Sequence, residues 1–330
     1  MRRLDNLGGD SILFAVNKTG RLIGSLTDGD IRRGLLNGYS PDDLITTFLQ
    51  QTPKCIIKNK YSLFDLLELR NKHFEIIPVL DDNKRIVNII NFRFLKSYLP
   101  LDALVMAGGR GTRLKPLTDK TPKPLLMVGE KPIIDHNIDR LSSFGIDDFH
   151  ISLGYLGEQI EDHYRHRNIE DVNINFIYEK KPLGTLGAAS LIDSFKNEFV
   201  LITNSDILTN LDYEDFFLDF LKNKADMSVA SIPYKVDIPY AVLETDRNKV
   251  KSFKEKPTYT YYSNGGIYLV KKSLLQYIPK DSFYNATDLM NSIILKGGNL
   301  ISYPVRDYWL DVGRHEDYEK AHNDIKYLKL

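Results

Sequence analysis

The sequence has a single cysteine, Cys55, and no long apolar run among its 330 residues. One cysteine forms neither an intrachain disulfide nor a cysteine-based zinc site, which agrees with a reducing cytoplasm. A helix needs roughly 20 apolar residues to cross a bilayer, and no run approaches that length. The charged start, Met1–Asp5, has no apolar signal segment behind it. We therefore predict a cytoplasmic protein without a membrane partner.

The sequence also lacks an excess of charge of either sign. Lysine plus arginine and aspartate plus glutamate both number 44, so nothing in the charge indicates a nucleic-acid partner. Hydrophobic residues make up 42% and charged residues 27%, which excludes a collagen-like or wholly disordered chain. At roughly 150 residues per domain, this length predicts two domains.

The pattern of residues 1–99 predicts a small α+β domain with a weak internal repeat. Short β-branched runs separated by turn sequences predict strands, at Ile12–Val16, Leu22–Leu26, Ile76–Leu80 and Ile86–Ile90. A stretch of helical character follows each pair, Asp30–Leu36 and Phe92–Tyr98, and the leucines of Leu63–Arg70 have helical spacing. A strand–turn–strand–helix unit therefore occurs twice.

The pattern of residues 100–330 predicts an α/β domain, and the boundary between the two domains is expected near Pro100. Predicted strands alternate with predicted helices, which favours a parallel or mostly parallel sheet covered by helices. The strands are Leu101–Met106, Phe149–Leu153, Ile174–Tyr178 and Phe199–Thr203, and the helices are Pro132–Phe144 and Leu186–Phe195. The seven histidines are expected on solvated faces and are assigned no role.

A glycine-rich turn directly follows the predicted strand Leu101–Met106. Glycines let backbone N–H groups approach an anion, and ligands of open α/β sheets bind at the carboxyl ends of strands. The spacing matches neither the dinucleotide fingerprint nor the Walker pattern. We interpret the turn as a phosphate-binding loop, with a structural tight turn as the alternative. Its residues are Ala107, Gly108, Gly109, Gly111 and Thr112, with Arg110, Arg113 and Lys115 adding positive charge.

A lysine and two aspartates occupy positions of interest further along the chain. Lys123 lies between two prolines that stiffen its backbone; alone, it would be interpreted as a solvated lysine. Asp206 follows the buried strand Phe199–Thr203, where a carboxylate is costly unless it is solvated, paired or bound to a metal. Asp311 lies in Trp309–Gly313. Each aspartate alone could equally be a helix N-cap or a turn residue.

Together these motifs resemble the signature of the sugar-1-phosphate nucleotidyltransferases, or nucleotide-sugar pyrophosphorylases. In detail they look most like the mannose-1-phosphate guanylyltransferase-like branch, and the resemblance runs from Leu101 to about Ala321. It implies a Rossmann-like, mostly parallel mixed sheet of the GT-A type. It also implies the transfer of a nucleoside monophosphate, with GMP favoured, from an NTP to a sugar 1-phosphate. Pyrophosphate would be released with the help of Mg²⁺.

The resemblance also assigns roles to individual residues. Arg113 would hold the β- and γ-phosphates, and Lys123 would bridge the attacking phosphate and the α-phosphate. Asp206 and Asp311 would bind magnesium. The residues implied to bind the nucleotide are Ala107, Gly108, Gly109, Gly111, Thr112, Gly184 and Thr185, and those implied to bind the sugar are Ala241, Glu255, Lys256 and Asn264. The family usually has glycine at the position of Ala241, so the identity of the sugar carries over least.

The segment Gly24–Ile31 resembles the end of a CBS motif. The resemblance implies that Thr27 and Asp30 hold the ribose of an adenosine nucleotide, and that residues 1–99 are a regulatory CBS pair. A helix N-cap formed by Thr27 and the following aspartates is the alternative. The first motif begins almost at its strand Ile12–Val16, so it looks truncated, and the second unit lacks the Thr/Asp pair. CBS pairs often associate, which makes a homo-oligomer an expectation.

Two other functions stay open on the sequence. One is a CBS-type nucleotide sensor that carries a catalytically silent transferase-like domain, but Lys123, Asp206 and Asp311 are all present and favour an active enzyme. The other is a cytidylyltransferase for a non-sugar phosphate such as phosphocholine, which the unusual Ala241 keeps open.

Overall fold

The computed structural model describes residues 1–167, 169 and 172–328 and divides the chain into two compact units. Met1–Pro100 and Ser143–Gly145 form the first unit, and the rest of the chain from Leu101 onward forms the second. No helix within the described residues is long and apolar enough to cross a membrane.

The first unit contains two small sheets. In one, β1 pairs antiparallel with β2; in the other, β4 pairs parallel with β3 and antiparallel with β5. A bridge between Ser25 and Gln50 and another between Arg21 and Arg85 add backbone pairing outside these strands. The elements are α1 (Arg2–Asp5), β1 (Ile12–Val16), β2 (Leu22–Thr27), α2 (Asp28–Leu36), β3 (Ile56–Ile57), α3 (Leu63–Asn71), β4 (Ile76–Leu80) and β5 (Ile86–Asn91).

The prediction of a helix at Phe92–Tyr98 is wrong. The chain makes a turn after β5 and then runs without regular structure to Pro100. Phe92 N donates to Glu75 O, Lys96 N to Ser143 O and Leu99 N to Phe144 O. Because partners distant in sequence take these backbone N–H groups, the segment cannot form the ladder of a helix.

The second unit is built on a seven-stranded sheet in the order β10-β9-β6-β11-β16-β13-β17. All neighbouring strands are parallel except that β16 runs antiparallel to both β11 and β13. The prediction of an α/β fold with a mostly parallel central sheet is confirmed. The sheet strands are β6 (Leu101–Ala107), β9 (Asp148–Leu153), β10 (Asn173–Tyr178), β11 (Phe199–Asn204), β13 (Met227–Asp237), β16 (Thr258–Lys271) and β17 (Leu300–Pro304).

Helices and short strand pairs surround this sheet. The helices are α4 (Ile133–Ser143), α5 (Gly157–His166), α6 (Tyr213–Lys222), α7 (Lys272–Leu275), α8 (Ala286–Leu295) and α9 (His315–Asp324). The paired short strands are β7 (Met127–Val128) with β8 (Lys131–Pro132), β12 (Ile207–Thr209) with β18 (Trp309–Asp311), and β14 (Val242–Asp246) with β15 (Lys249–Lys254). β9 is buried at every position, as expected for a strand covered on both faces.

Two expectations for this unit are wrong. Only Gly187–Leu191, a short 3₁₀ turn, is helical in the predicted helix Leu186–Phe195. Leu186 N and Gly187 N donate to Tyr284 O, which ties the start of the segment to another loop. His136 and His150 are not on solvated faces but are buried, and burial lowers the pKa of both side chains.

Candidate active site

A cavity of about 410 Å³ lies at the carboxyl ends of β6 and β11. It brings together residues that are up to 177 positions apart in the sequence, from Met106 to Phe283. The sequence-predicted residues that line it are Ala107, Gly108, Gly109, Gly111, Thr112, Arg113, Lys123, Gly184, Thr185 and Asp206.

The glycine-rich loop packs closely against Glu179 at one end and against Lys123 at the other. A Cβ atom on Gly108 would lie 2.7 Å from Glu179 Oε1, and one on Gly111 would lie 3.0 Å from Lys123 Cβ. Gly111 also has a φ of 59°, in the left-handed region that favours glycine. A Cβ on Gly109 would meet nothing within 4 Å. The loop therefore runs from Glu179 at one end to Lys123 at the other, with the backbone of Gly109 open.

Lys123 is a buried residue, contrary to the reading of it as a solvated lysine. It begins a 3₁₀ turn, Lys123–Leu125, and its side chain is 10% exposed. Its Nζ donates a hydrogen bond to Asp206 Oδ2 and lies 3.7 Å from Asp311 Oδ1. A single ammonium group is thus shared between the two predicted metal-binding carboxylates.

A short strand pair brings Asp206 and Asp311 together. Ile207 in β12 pairs with Asp311 in β18, and Val312 N donates to Asp206 O over 3.0 Å. An apolar cluster packs around both strands, formed by Leu114, Leu126, Val128, Ile133, Leu208, Leu310, Val312 and Ala321. The aspartates consequently sit on a rigid base rather than on free loops.

The two carboxylates have unused hydrogen-bonding capacity. The Oδ1 atoms of both Asp206 and Asp311 are buried and have no hydrogen-bond partner. Burial and the charge of Asp206 raise the pKa of Asp311, while Lys123 and Arg113 act in the opposite direction. The described residues hold no group of three or more His, Cys, Asp or Glu suited to a metal. Two unsatisfied carboxylate oxygens nevertheless fit Mg²⁺, which keeps several waters and takes further ligands from phosphates.

Arg113 adds a second positive charge beside these carboxylates. It lies in a 3₁₀ turn, Thr112–Leu114, directly after the glycine-rich loop. A Cβ atom on Gly313 would lie 3.3 Å from Arg113 Nη2, which places the guanidinium against the chain just beyond Asp311.

The loop that contains Gly184 and Thr185 is fixed to the start of α8. Thr185 N donates to Asn285 Oδ1 over 3.2 Å, and Ala286 N donates to Thr185 Oγ1 over 2.9 Å. Gly184 has a φ of 79°, and a Cβ atom there would lie 2.7 Å from Tyr284 O. Only glycine fits this position, so the backbone of the loop stays open to the cavity.

Sequence reasoning missed several residues that line the cavity, among them Glu179, Asn204 and Phe283. Leu183 N donates to Glu179 Oε2 over 3.1 Å, and burial raises the pKa of Glu179 while this hydrogen bond lowers it. Glu179 directly follows β10. The rule that singled out Asp206, a polar residue at the carboxyl end of a strand, could have found Glu179 as well.

The residues predicted to bind the sugar do not line this cavity. Ala241, Glu255, Lys256 and Asn264 are all exposed. Asn264 lies in β16 where the pairing with β13 shifts: Val229 pairs with Tyr268 but Ser231 pairs with Asn264, so β16 bulges between them. Trp309 Nε1 donates to Gly265 O in this bulge over 2.9 Å.

Thr27 and Asp30 lie in the first unit and form the helix cap that the sequence offered as an alternative. Asp30 N donates to Thr27 Oγ1 over 3.3 Å, and Asp30 Oδ2 accepts from Thr27 N over 2.8 Å, which completes a capping box at the start of α2. Arg33 also donates to Asp30 Oδ1 over 2.6 Å. Both residues line a separate cavity of about 590 Å³ in this unit.

Comparisons with known proteins agree with the fold. The D-glycero-alpha-D-manno-heptose 1-phosphate guanylyltransferase of Aneurinibacillus thermoaerophilus is 29% identical over 230 residues, which cover 69% of this chain and 99% of that protein. The mannose-1-phosphate guanyltransferase of Yarrowia lipolytica is 30% identical over 228 residues, covering 66% of this chain. This chain spans 62% of the length of that relative.

A solved structure and a family model match as well. The crystal structure of HddC from Yersinia pseudotuberculosis complexed with GMP-PN has a TM-score of 0.53 and 27% identity, covering 68% of this chain and 99% of that one. The family model described as nucleotidyl transferase matches residues 102–327. With the glycine-rich loop, the buried lysine and the paired aspartates in place, the chain belongs to the nucleotidyl transferase family.

Proposed function

We propose that this chain transfers a nucleoside monophosphate, with GMP favoured, from an NTP to a sugar 1-phosphate, giving an NDP-sugar and pyrophosphate. The observation that carries the proposal is Lys123, buried at the end of the glycine-rich loop between Asp206 and Asp311. The named activities of the heptose 1-phosphate and mannose-1-phosphate relatives support it.

The chemistry needs positive charge in the right place rather than a general base. None of the described residues that line the cavity is a histidine, and a sugar 1-phosphate is already an anionic nucleophile. One of its oxygens attacks the α-phosphorus in line and forms the new P–O bond. The bond from the α-phosphorus to the bridging oxygen breaks, and pyrophosphate leaves with the electron pair. The obstacles are repulsion between two polyanions and the charge that develops on pyrophosphate.

Lys123 and Arg113 are the residues that reduce both obstacles. The 3₁₀ turn Lys123–Leu125 fixes the backbone of Lys123, and the ammonium of Lys123 is proposed to bridge the attacking phosphate and the α-phosphate. Arg113, whose guanidinium lies beside Asp311, is proposed to hold the β- and γ-phosphates. Preorganised charges of this kind act where charge develops in the transition state.

Asp206 and Asp311 are the residues that would hold Mg²⁺. When bound, the ion neutralises phosphate charge and polarises the α-phosphate. The ammonium of Lys123 contacts both carboxylates, so the same pair of aspartates also orients the lysine.

Glu179 is the residue we propose to select guanine. Its carboxylate lies at the end of the cavity opposite Lys123 along the glycine-rich loop. Guanine presents two neighbouring donors, N1–H and the exocyclic amine, and a carboxylate accepts from both. Uracil and thymine present one donor on that edge, so they gain less from this side chain.

Ala241, Glu255, Lys256 and Asn264 are proposed to bind the sugar phosphate, with mannose, a heptose and an amino sugar as the candidate sugars. Their exposure in this structure leaves room for the sugar to enter from solvent. A phosphate that carries no sugar, such as phosphocholine, is the competing acceptor, and a cytidylyltransferase would use it.

Residues 1–99 are proposed to be a regulatory CBS pair that binds an adenosine nucleotide. The cavity that Thr27 and Asp30 line supports this proposal, because Arg33 and Arg93 also line it, and guanidinium groups bind phosphates. In this structure the two arginines pair with Asp30 and Glu75. Titration of ATP, AMP and S-adenosylmethionine by calorimetry tests it, and no binding by any of the three would contradict it.

Pyrophosphate release is the experiment that tests the main proposal. Each of the four ribonucleoside triphosphates and dTTP is paired with a panel of sugar 1-phosphates and phosphocholine, in the presence of Mg²⁺. We expect release with GTP and one sugar 1-phosphate, abolished by Asp206→Asn. If NTP binds and no pair releases pyrophosphate, the chain is instead a nucleotide sensor with a silent transferase domain.

A further inference from the structure

Phe283 is a large apolar side chain left exposed at the mouth of the cavity. It is 64% exposed, yet it lines the same cavity as Glu179, Gly184 and Thr185. Neither the chemistry of Lys123 and Arg113 nor the recognition of guanine by Glu179 uses it.

The backbone around Phe283 is firmly fixed to the loop of Gly184 and Thr185. Tyr284 N donates to Leu183 O over 2.9 Å, and Tyr284 O accepts from Leu186 N over 2.9 Å and from Gly187 N over 3.0 Å. A Cβ atom on Gly187 would lie 2.5 Å from Ser282 O. The residues before and after Phe283, Ser282 and Tyr284, thus both contact the loop of Gly184 and Thr185 and fix the backbone of Phe283.

The position of Phe283 along the cavity determines which part of an NTP it can meet. Gly111 is next to Lys123, whereas Gly108 is next to Glu179. Glu179 is hydrogen-bonded to Leu183 of the loop that holds Phe283 in place. Phe283 consequently lies at the Glu179 end of the cavity, away from Lys123. An uncharged aromatic face gives nothing to a phosphate but offers a stacking surface to a planar base.

We propose that Phe283 stacks on the nucleobase of the NTP and holds it against the backbone of Gly184 and Thr185. This inference rests on the proposed function, because it takes the ligand to be an NTP. Stacking acts on the face of the base, and every base has a π-face. Phe283 therefore contributes affinity without selecting the base, while Glu179 reads the edge.

Direct binding measurements on the full chain test the proposal. We would titrate GTP with Mg²⁺, in the absence of any sugar phosphate, into wild type, Phe283→Ala, Phe283→Leu and Phe283→Trp. Stacking on an aromatic side chain predicts a Kd about 10- to 100-fold higher for the alanine and leucine variants, and a Kd close to wild type for tryptophan. UTP should lose affinity by a similar factor in the alanine variant.

Phe94→Ala is the matched control, since Phe94 is 76% exposed and does not line the cavity. It should bind GTP like the wild type. Thermal unfolding of each variant should be unchanged, which excludes a structural role. At saturating GTP, the KM for the sugar phosphate and kcat should stay within about twofold of wild type, because stacking is formed before the chemical step.

Three results would overturn the inference. A wild-type Kd for Phe283→Ala would show that the ring does not touch the ligand, and a wild-type Kd for Phe283→Leu would replace stacking by simple apolar packing. A loss confined to GTP would make Phe283 part of base selection. If the wild type binds GTP through Phe283 but releases no pyrophosphate with any acceptor, the proposed function fails while this inference stands.

Discussion

Lys123→Met is the substitution that tests the centre of the site most directly. It keeps the length of the side chain and removes its charge. A preorganised donor to a developing phosphate charge is worth about 2.7–4 kcal/mol in the transition state, or about 10²- to 10³-fold in kcat. We expect kcat/KM for pyrophosphate release to fall by a factor in that range. Lys120→Met is the matched control, because Lys120 is exposed and does not line the cavity.

The same substitution has an effect on stability that can be worked out from the structure. Without the ammonium, Asp206 Oδ2 loses its hydrogen-bond donor, and the negative charges of Asp206 and Asp311 are no longer compensated by Lys123. Leaving a buried polar group without its partner costs about 1–3 kcal/mol. Asp311 has a side chain that is 40% exposed, so solvent screening places the expected loss in the lower half of that range.

Mg²⁺ provides the decisive comparison for Lys123→Met. A ligand that binds only the folded state raises stability by an amount that grows with its affinity. In the variant, no ammonium competes for the two carboxylates, so Mg²⁺ should raise Tm more than it does in the wild type. Unchanged kcat/KM in the variant would refute the role of Lys123 in the reaction. Equal Tm shifts in both proteins would refute the assignment of Mg²⁺ to this pair of aspartates.

Three further predictions concern Glu179 and Gly154 near the site, with Gly109 as a control, and Thr27 in the first unit. Glu179→Gln should raise the KM for GTP at least about tenfold and leave that for UTP nearly unchanged, since only guanine uses both carboxylate oxygens. Burial raises the pKa of Glu179 above its usual 4.5. The contribution of this carboxyl to stability is therefore fully present below its usual pKa and is lost as pH rises through the raised pKa. Between these two pKa values, the unfolding free energy of Glu179→Gln should fall less than that of the wild type. Gly154→Ala should destabilise the protein by about 1–3 kcal/mol and weaken NTP binding, because the new Cβ would lie 2.5 Å from Gly108 O; Gly109→Ala, with nothing within 4 Å, should leave Tm unchanged. Thr27→Ala should cost about 1 kcal/mol through the loss of the α2 cap, and thermal melts that show no change would contradict the capping role.

The sequence predicted the parts of the fold that local patterns determine. Leu101–Met106, apart from Asp102, and Phe199–Thr203 are rich in apolar and β-branched residues, and both form largely buried strands, one residue longer than predicted. Phe92–Tyr98 was predicted as a helix because its pattern is helical, but its N–H groups bond to residues that only the tertiary structure brings near. A local pattern carries no information about such partners.

The same distinction applies to the site. Lys123, Asp206 and the glycine-rich loop lie in compact motifs, and the structure gathers them in one cavity. Phe283 belongs to a segment that reaches the cavity only through the hydrogen bonds of Tyr284, whereas Glu179 follows β10 and was within reach of the rule that found Asp206. The prediction of solvated histidines fails for His136 and His150, which are both buried. Tertiary packing buries these side chains, and their neighbours in the sequence do not indicate it.

Trp309 is the only tryptophan of the sequence, so the intrinsic tryptophan fluorescence of the protein reports on the surroundings of this one residue. Its indole N–H is bonded to Gly265 in the bulge of β16, while its backbone in β18 lies two residues before Asp311. The emission of an indole ring changes with the polarity and hydrogen bonding around it. The unlabelled protein therefore gives one fluorescence signal that senses both a ligand at the bulge and a cation at the carboxylates. Titrating the two in either order measures how strongly each binding event favours the other.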